Sequence, residues 1–269
     1  MEQQQAVSQA QPGVAPILSG KLVDQEYQIE RLPFTIKRVE TAEQMRKAVQ
    51  VRHAAYARHI PDFADTLRLP EDCDYDDDSI VLLAESKLDG TPLGSTRIQT
   101  NQHGPLHLES SVVLPDWLAG MRLAEVTRLG IDESRMGRIV KIALIKACFD
   151  YCELQGIDHA VVTGRAPIDR QYEQLMFRDV FEDKAYVPLQ HVGNIPHRVM
   201  AFEIATGEAR WSAANHPLLK FFKHTRHPDI DIGAPKAPRL KRGDEFQADF
   251  VPEFRIDLVR RRVRTAAGS

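Results

Sequence analysis

The sequence predicts an α/β (mixed α+β) fold, a mixed β-sheet with helices on both faces. Three observations carry this expectation. The element signals run strand, helix, hairpin, strand, turn, buried helix, strand, helix, strands. Asp89-Gly90 stands between two apolar runs and is a strong hairpin signal, so part of the sheet is antiparallel. Residues 139–154 are apolar on most sides, as a largely buried helix must be.

The elements follow in order. Residues 1–33 are rich in Gln, Ala, Pro and Gly and read as a mobile N-terminal arm, with Tyr27 and Leu32 able to dock. The start has no basic region before an apolar core, so it does not read as a signal peptide. Phe34, Ile36 and Val39 form a short β-like run. Thr41-Ala-Glu-Gln44 is a capping box, and the helix it opens runs to about His59. Met45, Val49, Arg52 and Tyr56 share one stripe of that helix. A guanidinium on such a stripe needs a partner or a pocket. Residues 60–78 read as a loop whose end, 71–78, concentrates negative charge. Residues 80–84 and 93–100 are the hairpin strands, and 123–131 is a further strand. A turn with two arginines, 132–138, leads into the buried helix. Lys146, Asp150 and Glu153 make its narrow polar stripe, and Gln155-Gly156 ends it. Residues 159–163 read as a buried strand, 167–177 as a short helix, and 185–187 and 198–204 as late strands. Asn215 is a candidate cap for a helix over 217–224. The expected organisation is one domain over 34–205, with a C-terminal extension over 206–269 that wraps it.

Composition narrows the function. The chain has 269 residues and a net charge of -3, which argues against coating nucleic acid by bulk charge. No apolar run approaches the roughly 18–20 residues needed to span a bilayer as a helix. Three cysteines make no disulfide framework, so a reducing, cytoplasmic location is expected. Residues 235–269 hold nine Lys/Arg against five Asp/Glu, so a tail of +4 follows a body of -7. Its run Arg260-Arg-Arg262 is either a solvated end or a dock for an acidic carrier protein.

There is no G-x-G-x-x-G and no P-loop, so classical dinucleotide and nucleotide sites lose support. The anion site on offer is the turn Ser134-Arg135-Met-Gly137-Arg138, with backbone amides at a helix start and two flanking guanidiniums. The alternative is an ordinary solvated turn. Cys148 and Cys152 read as packing residues on the buried helix. His103 and His107 flank a Gly-Pro loop without a third ligand, so no metal is expected.

Several spaced pieces then coincide. A helical Arg precedes an aromatic by four residues, Arg52 and Tyr56. An acidic D-x-x-D follows, Asp74 and Asp77. An Arg lies on the strand after the hairpin, Arg97, and E-x-x-R lies on the next strand, Glu125 and Arg128. In this order and spacing the chain resembles the GNAT acyltransferase superfamily, and more narrowly its branch of N-acyl amino acid synthases and acyl-homoserine lactone synthases. The likeness covers about Phe34 to Ile204. Lactone synthases carry a Trp soon after the helical Arg, and Ile60-Pro-Asp-Phe63 has none. The C-terminal region is also longer than theirs, and both departures favour the N-acyl amino acid branch.

The resemblance implies a GNAT-type fold whose central strand splays from its neighbour to admit a pantetheine arm. The splayed pair would be 125–131 and 157–163, with backbone near Leu129 and Gly130 receiving the thioester carbonyl and its developing oxyanion. Ser134, Arg135, Gly137 and Arg138 would take the carrier's phosphate. Glu125 is implied as the general base; the other reading of it is a buried ion pair with Arg52 or Arg97, and both can hold. Tyr172 is implied as the donor to the leaving thiolate, or else as a core residue. Arg52, Arg97 and Arg128 could bind the acceptor's carboxylate, or Arg128 could pin the acidic loop through Asp74 or Asp77. Tyr56, Asp74 and Asp77 belong to the same substrate side by this resemblance. The expected reaction moves a long-chain fatty acyl group from an acyl carrier protein or coenzyme A thioester to an amino acid amine. Attack is direct, with no permanently bound cofactor, because no Ser or Cys sits in a nucleophile motif. The alternatives are a lactone synthase using S-adenosylmethionine and a non-catalytic acyl-carrier or lipid-binding module.

Overall fold

A computed structural model describes residues 28–233 and 240–242. The expected docking of Tyr27 and the basic tail with Arg260-Arg-Arg262 lie outside the described residues. The strands are β1 (Gln28–Ile29), β2 (Phe34–Arg38), β3 (Ser79–Ser86), β4 (Pro92–Thr100), β5 (Leu123–Ile131), β6 (His159–Gly164), β7 (Arg178–Asp179), β8 (Val187–Leu189), β9 (Ile195–Glu203), β10 (Thr225–Arg226) and β11 (Ile230–Asp231). The helices are α1 (Ala42–Ala57), α2 (Pro61–Ala64), α3 (Gly137–Leu154), α4 (Asp169–Gln174) and α5 (Gly207–Ala213).

The main sheet runs β11-β2-β3-β4-β5-β6-β9-β7, with β8 also paired to β9. β2 to β5 are antiparallel neighbours, whereas β5 and β6 are parallel. Alternation along the strands assigns the two faces. Ile80, Leu82 and Ala84 pack in one core with α3, while Val81 and Leu83 pack in another with Met45, Ala48 and Val49 of α1. Local chemistry explains both long helices. The side chain of Thr41 accepts from the Gln44 amide and that of Gln44 accepts from the Thr41 amide, which closes the predicted capping box. Gly156 follows α3 at φ +63°, where a side chain would be strained.

Four local expectations are corrected. The stretch 60–78 is not one loop: α2 and two short 3-10 turns organise it. The late strand expected at 185–187 is β8, which begins only at Val187. Asn215 caps no helix; it sits at φ +49° after α5, which the sequence reading missed, and 220–224 form one wide π-helical turn. Lys146 is not on a solvent stripe. It is 7% exposed and donates to the Phe222 carbonyl at 2.6 Å, because the C-terminal residues cover α3. Trp211 of α5 is fully buried among Phe149, Phe202 and Phe222 and donates to the Leu175 carbonyl at 3.1 Å. β10 and β11 then pair with β1 and β2, so both ends of the described chain meet at one edge of the molecule.

Candidate active site

The site originates in an irregularity of β5. Arg97 of β4 faces Thr127, but Ser95 faces Gly130, so Arg128 and Leu129 of β5 are fitted against the single residue Thr96 of β4. The extra residue is a β-bulge, and Arg128 occupies it at φ +56°, a region unfavourable for a side chain. Such a conformation costs about 1–3 kcal/mol and persists only when its surroundings hold it. Here Glu71 takes both Nε and Nη2 of Arg128 at 2.6 Å, the His191 carbonyl accepts from Nη2 at 2.7 Å, and the Phe63 ring lies 5.2 Å from the guanidinium.

The bulge turns β5 away from β6. The two strands pair only from Leu123–His159 to Val126–Val162. A cavity of about 310 Å³ opens beyond that point, lined by Thr127, Arg128 and Leu129 on one side and Thr163, Gly164 and Arg165 on the other. Tyr56, Phe63, Tyr172, His191 and His197 also line it, with Arg58 and Lys141. A smaller apolar pocket of about 30 Å³ shares Val126, Leu129, Ile145, Tyr172 and Leu175 with it and ends on Phe149 and Phe177.

Beneath Arg128 lies a buried charge network. Arg52 donates to both carboxylate oxygens of Asp74, at 2.8 and 3.0 Å, and lies 3.4 Å from Glu71. Arg97 reaches Glu71 at 3.0 Å and Asp74 at 3.2 Å. Arg52, though burial opposes its charge most, stays charged because Asp74 faces it. The guanidiniums likewise overcome burial and hold the Asp74 carboxyl down to about 2. Arg52 and Arg97 therefore serve the acidic turn and do not line the cavity; of the three candidate arginines only Arg128 does. Arg128 is pinned by Glu71, not by Asp74 or Asp77. Asp77 is exposed and stands apart from the network. Glu71 is the residue that sequence reasoning passed over, although it opens the acidic stretch.

Glu125 makes no ion pair with Arg52 or Arg97. It is fully buried; its Oε2 accepts from the Leu108 amide at 3.1 Å, and its Oε1 lies 3.5 Å from Nε2 of His191. Burial pushes its pKa up to about 7, against the pull of that amide, Arg97 and Arg128. A carboxylate near 7 is suited to accept and release a proton at neutral pH. Tyr172 lines both pockets, and burial pushes its phenol above the usual range, so it keeps its proton.

A family model described as N-acyl amino acid synthase FeeM matches residues 47–201, the stretch that holds the bulge, the charge network and Glu125. The chain belongs to the FeeM family of N-acyl amino acid synthases. It is thus an acyltransferase. The structure is similar to that of FeeM, an N-acyl amino acid synthase from uncultured soil microbes, with a TM-score of 0.52 and 17% identity over 70% of this chain and 96% of that one. It is also similar to BjaI, a coenzyme A-dependent acyl-homoserine lactone synthase, with a TM-score of 0.49 and 16% identity over 77% of this chain and 95% of that one. A third likeness, to aminoglycoside 6'-acetyltransferase type Ii, has a TM-score of 0.44 and 14% identity over 63% of this chain and 96% of that one. At these identities the likeness is one of fold. No curated protein matches the chain in sequence.

The remaining expected positions divide. Leu129 lines the cavity, but Gly130 does not: a Cβ there would lie 2.9 Å from Cα of Arg52, so this glycine lets α1 approach β5. The turn from Ser134 to Arg138 lies beside the cavity, after Ile131, and does not line it. Two of its amides are engaged, Ser134 with the Asp132 carboxylate at 3.1 Å and Gly137 with the Ser134 carbonyl at 2.9 Å. A Cβ at Gly137 would meet the Asp132 carbonyl at 2.7 Å, so the tight turn itself requires glycine. Arg135 and Arg138 are exposed beside it. His191 and His197 carry no local sequence signal. His191 lies in the 3-10 turn before β9 and His197 on β9, and the pairing of β9 with β6 brings them to the site. Cys73 and Cys148 are buried thiols pushed up to about 12, so neither offers a thiolate. No described helix is long and apolar enough to cross a membrane.

Proposed function

We propose that the chain transfers a long-chain fatty acyl group from a pantetheine thioester, on coenzyme A or an acyl carrier protein, to the amine of an amino acid. The observation that carries this is the opening between β5 and β6, where unpaired strand backbone, Tyr172 and His191 border one cavity backed by an apolar pocket, with Glu125 buried behind His191. The thioester carbonyl lies against the free backbone of residues 127–129, whose amides stabilise the tetrahedral oxyanion. Glu125 is the general base that ultimately receives a proton from the attacking nitrogen, and Tyr172 supplies one to the departing sulfur. The experiment is mass spectrometry of the full chain incubated with dodecanoyl-coenzyme A or, separately, dodecanoyl carrier protein, together with the twenty amino acids. N-dodecanoyl amino acids are expected with at least one donor. Product only as a lactone, and only with added S-adenosylmethionine, or no product with either donor, would sink the proposal.

Charge divides the cavity mouth. Lys141 and Arg58, the latter paired to Glu133 at 3.1 Å, line the side that suits the donor's phosphate. Arg165 lines the cavity together with Arg128, His191 and His197. Arg165 has no ion-pair partner among the described residues, which leaves it for the acceptor's carboxylate. Arg165→Ala should raise KM for the amino acid about tenfold, consistent with losing one exposed charged hydrogen bond, with KM for the donor unchanged. Steady-state titration of each substrate checks this.

Ile145 borders both the main cavity and the apolar pocket. A phenyl ring there would fill the passage between them. Ile145→Phe should shift donor preference toward shorter chains by several carbons, at a stability cost of about 1–3 kcal/mol for overpacking. Competition among octanoyl, dodecanoyl and hexadecanoyl thioesters measures the shift. An unchanged product profile would show that the chain does not enter this pocket.

A further inference from the structure

Glu125 is fully buried and does not line the cavity, so an amine in the cavity does not meet it directly. His191 stands between them. It lines the cavity, its side chain is 10% exposed, and its Nε2 lies 3.5 Å from Oε1 of Glu125. Neither ring nitrogen of His191 has a hydrogen-bond partner, and neither does Oε1 of Glu125. Three unpartnered buried polar atoms at one spot are costly, and a fold keeps them where they have a task. The backbone around the ring is tightly held. The His191 carbonyl accepts from Arg128 at 2.7 Å, the Gln190 amide donates to Oγ of Ser111 at 2.9 Å, and Gly193 closes the turn at φ +71°.

We propose that His191 and Glu125 form a proton relay, in which the imidazole faces the attacking amine and the carboxylate behind it receives the proton. This rests on the reading of Glu125 as the general base. In the relay Nε2 carries its proton toward Glu125, 3.5 Å away, and Nδ1 is left to accept from the substrate. The acceptor enters as an ammonium and loses one proton through the relay to solvent. Its lone pair then forms the C–N bond to the thioester carbon, and the carbonyl becomes an oxyanion. The second nitrogen proton passes to Nδ1 as the Nε2 proton passes to Glu125. The oxyanion reforms the carbonyl, the C–S bond breaks with its electrons on sulfur, and the sulfur takes the proton of Tyr172. The relay's proton then restores the phenol, so no oxidant or further reactant is needed.

The electrostatics agree with this order of transfer. Burial, with Arg128, His107, Arg97 and His197 around it, lowers the His191 pKa to about 3, so the ring stays neutral and is a weak base alone. Glu125, whose neighbours are His191, the Leu108 and His107 backbone, Arg97 and Arg128, accepts its proton near 7. The arrangement places the weaker base at the cavity and the stronger behind it.

Two measurements test the relay. In the full chain with 15N-labelled histidine rings, assigned against H191N, His191 should be neutral and protonated on Nε2 from pH 5 to 9. Its shifts should follow one titration near pH 7 that is absent in Glu125→Gln. An Nδ1–H tautomer, or shifts indifferent to Glu125→Gln, overturns the relay without any need for turnover. In the dodecanoyl transfer assay, His191→Ala should lower kcat about 100-fold with KM little changed, and millimolar imidazole should restore part of the rate. The double variant with Glu125→Gln should be no slower than the slower single. Normal turnover of His191→Ala with slow Glu125→Gln overturns the relay and leaves Glu125 as base. Normal turnover of both overturns the base as well.

Discussion

Glu125→Gln is expected to lower kcat by about 10²–10⁴-fold, the usual contribution of a positioned general base, while the protein stays folded. The amide keeps the shape and can still accept from Leu108, whose amide now bonds Oε2 at 3.1 Å. What it loses is a proton acceptor. The same change should stabilise the fold at alkaline pH. The folded carboxyl titrates at about 7 against an ordinary 4.5, so folding favours its protonated form. Its contribution is fully present below pH 4.5, declines as the pH rises and is lost above about 7. The difference is about 3 kcal/mol at 1.36 kcal/mol per pKa unit. Glutamine does not ionise, so the variant should match the wild type near pH 4 and exceed it in melting temperature at pH 8. The wild-type rate should rise with pH through the same region, as the base loses its proton. Equal turnover, or a stability difference independent of pH, would contradict the assignment.

Asp74→Asn is expected to cost about 3–5 kcal/mol of stability, as breaking one partner from a buried ion pair does. Arg52 and Asp74 have no exposed side-chain surface, and their bidentate pair is the centre of the network. Asp74 also accepts from the Glu71 amide at 2.9 Å, which orients the carboxylate that holds Arg128 in its bulge. Loss of Asp74 should therefore reduce turnover as well, by loosening the strand that opens the cavity. Asp77→Asn is the control: its side chain is exposed, so its effect should fall within about 0.5 kcal/mol. Urea unfolding of both variants decides the matter. The pH dependence is opposite to that of Glu125. Asp74 titrates at about 2 in the fold against 3.8, so its contribution is present above pH 3.8 and is lost as the pH falls through about 2.

The contrast between Asp74 and Asp77 shows how far the sequence could be read. Spacing marked both as one motif, because a motif records positions along the chain. Only the 3-10 turn over Asp72–Asp74 decides which of them faces inward. Arg52 was legible as a buried cation from helical periodicity alone, but its partners were not, since they arrive from 19 and 22 residues away. Lys146 misled because periodicity reports one helix's own faces and not the later segment that covers them. Trp211 was missed because α5 is short and its burial comes from partners across the core.

By itself the sequence determined the α/β class, the hairpin, and both long helices, with the capping box of α1 and the glycine after α3. These depend on neighbours within a few residues or on one period repeated along a segment. The tertiary structure alone decided that Glu71 holds Arg128, that β5 bulges and parts from β6, and that His191 stands between Glu125 and the cavity. The physical reason is common to all three. Each depends on a pair energy between groups 57 to 66 residues apart or on one inserted residue in a strand ladder, and neither leaves a local mark on the chain.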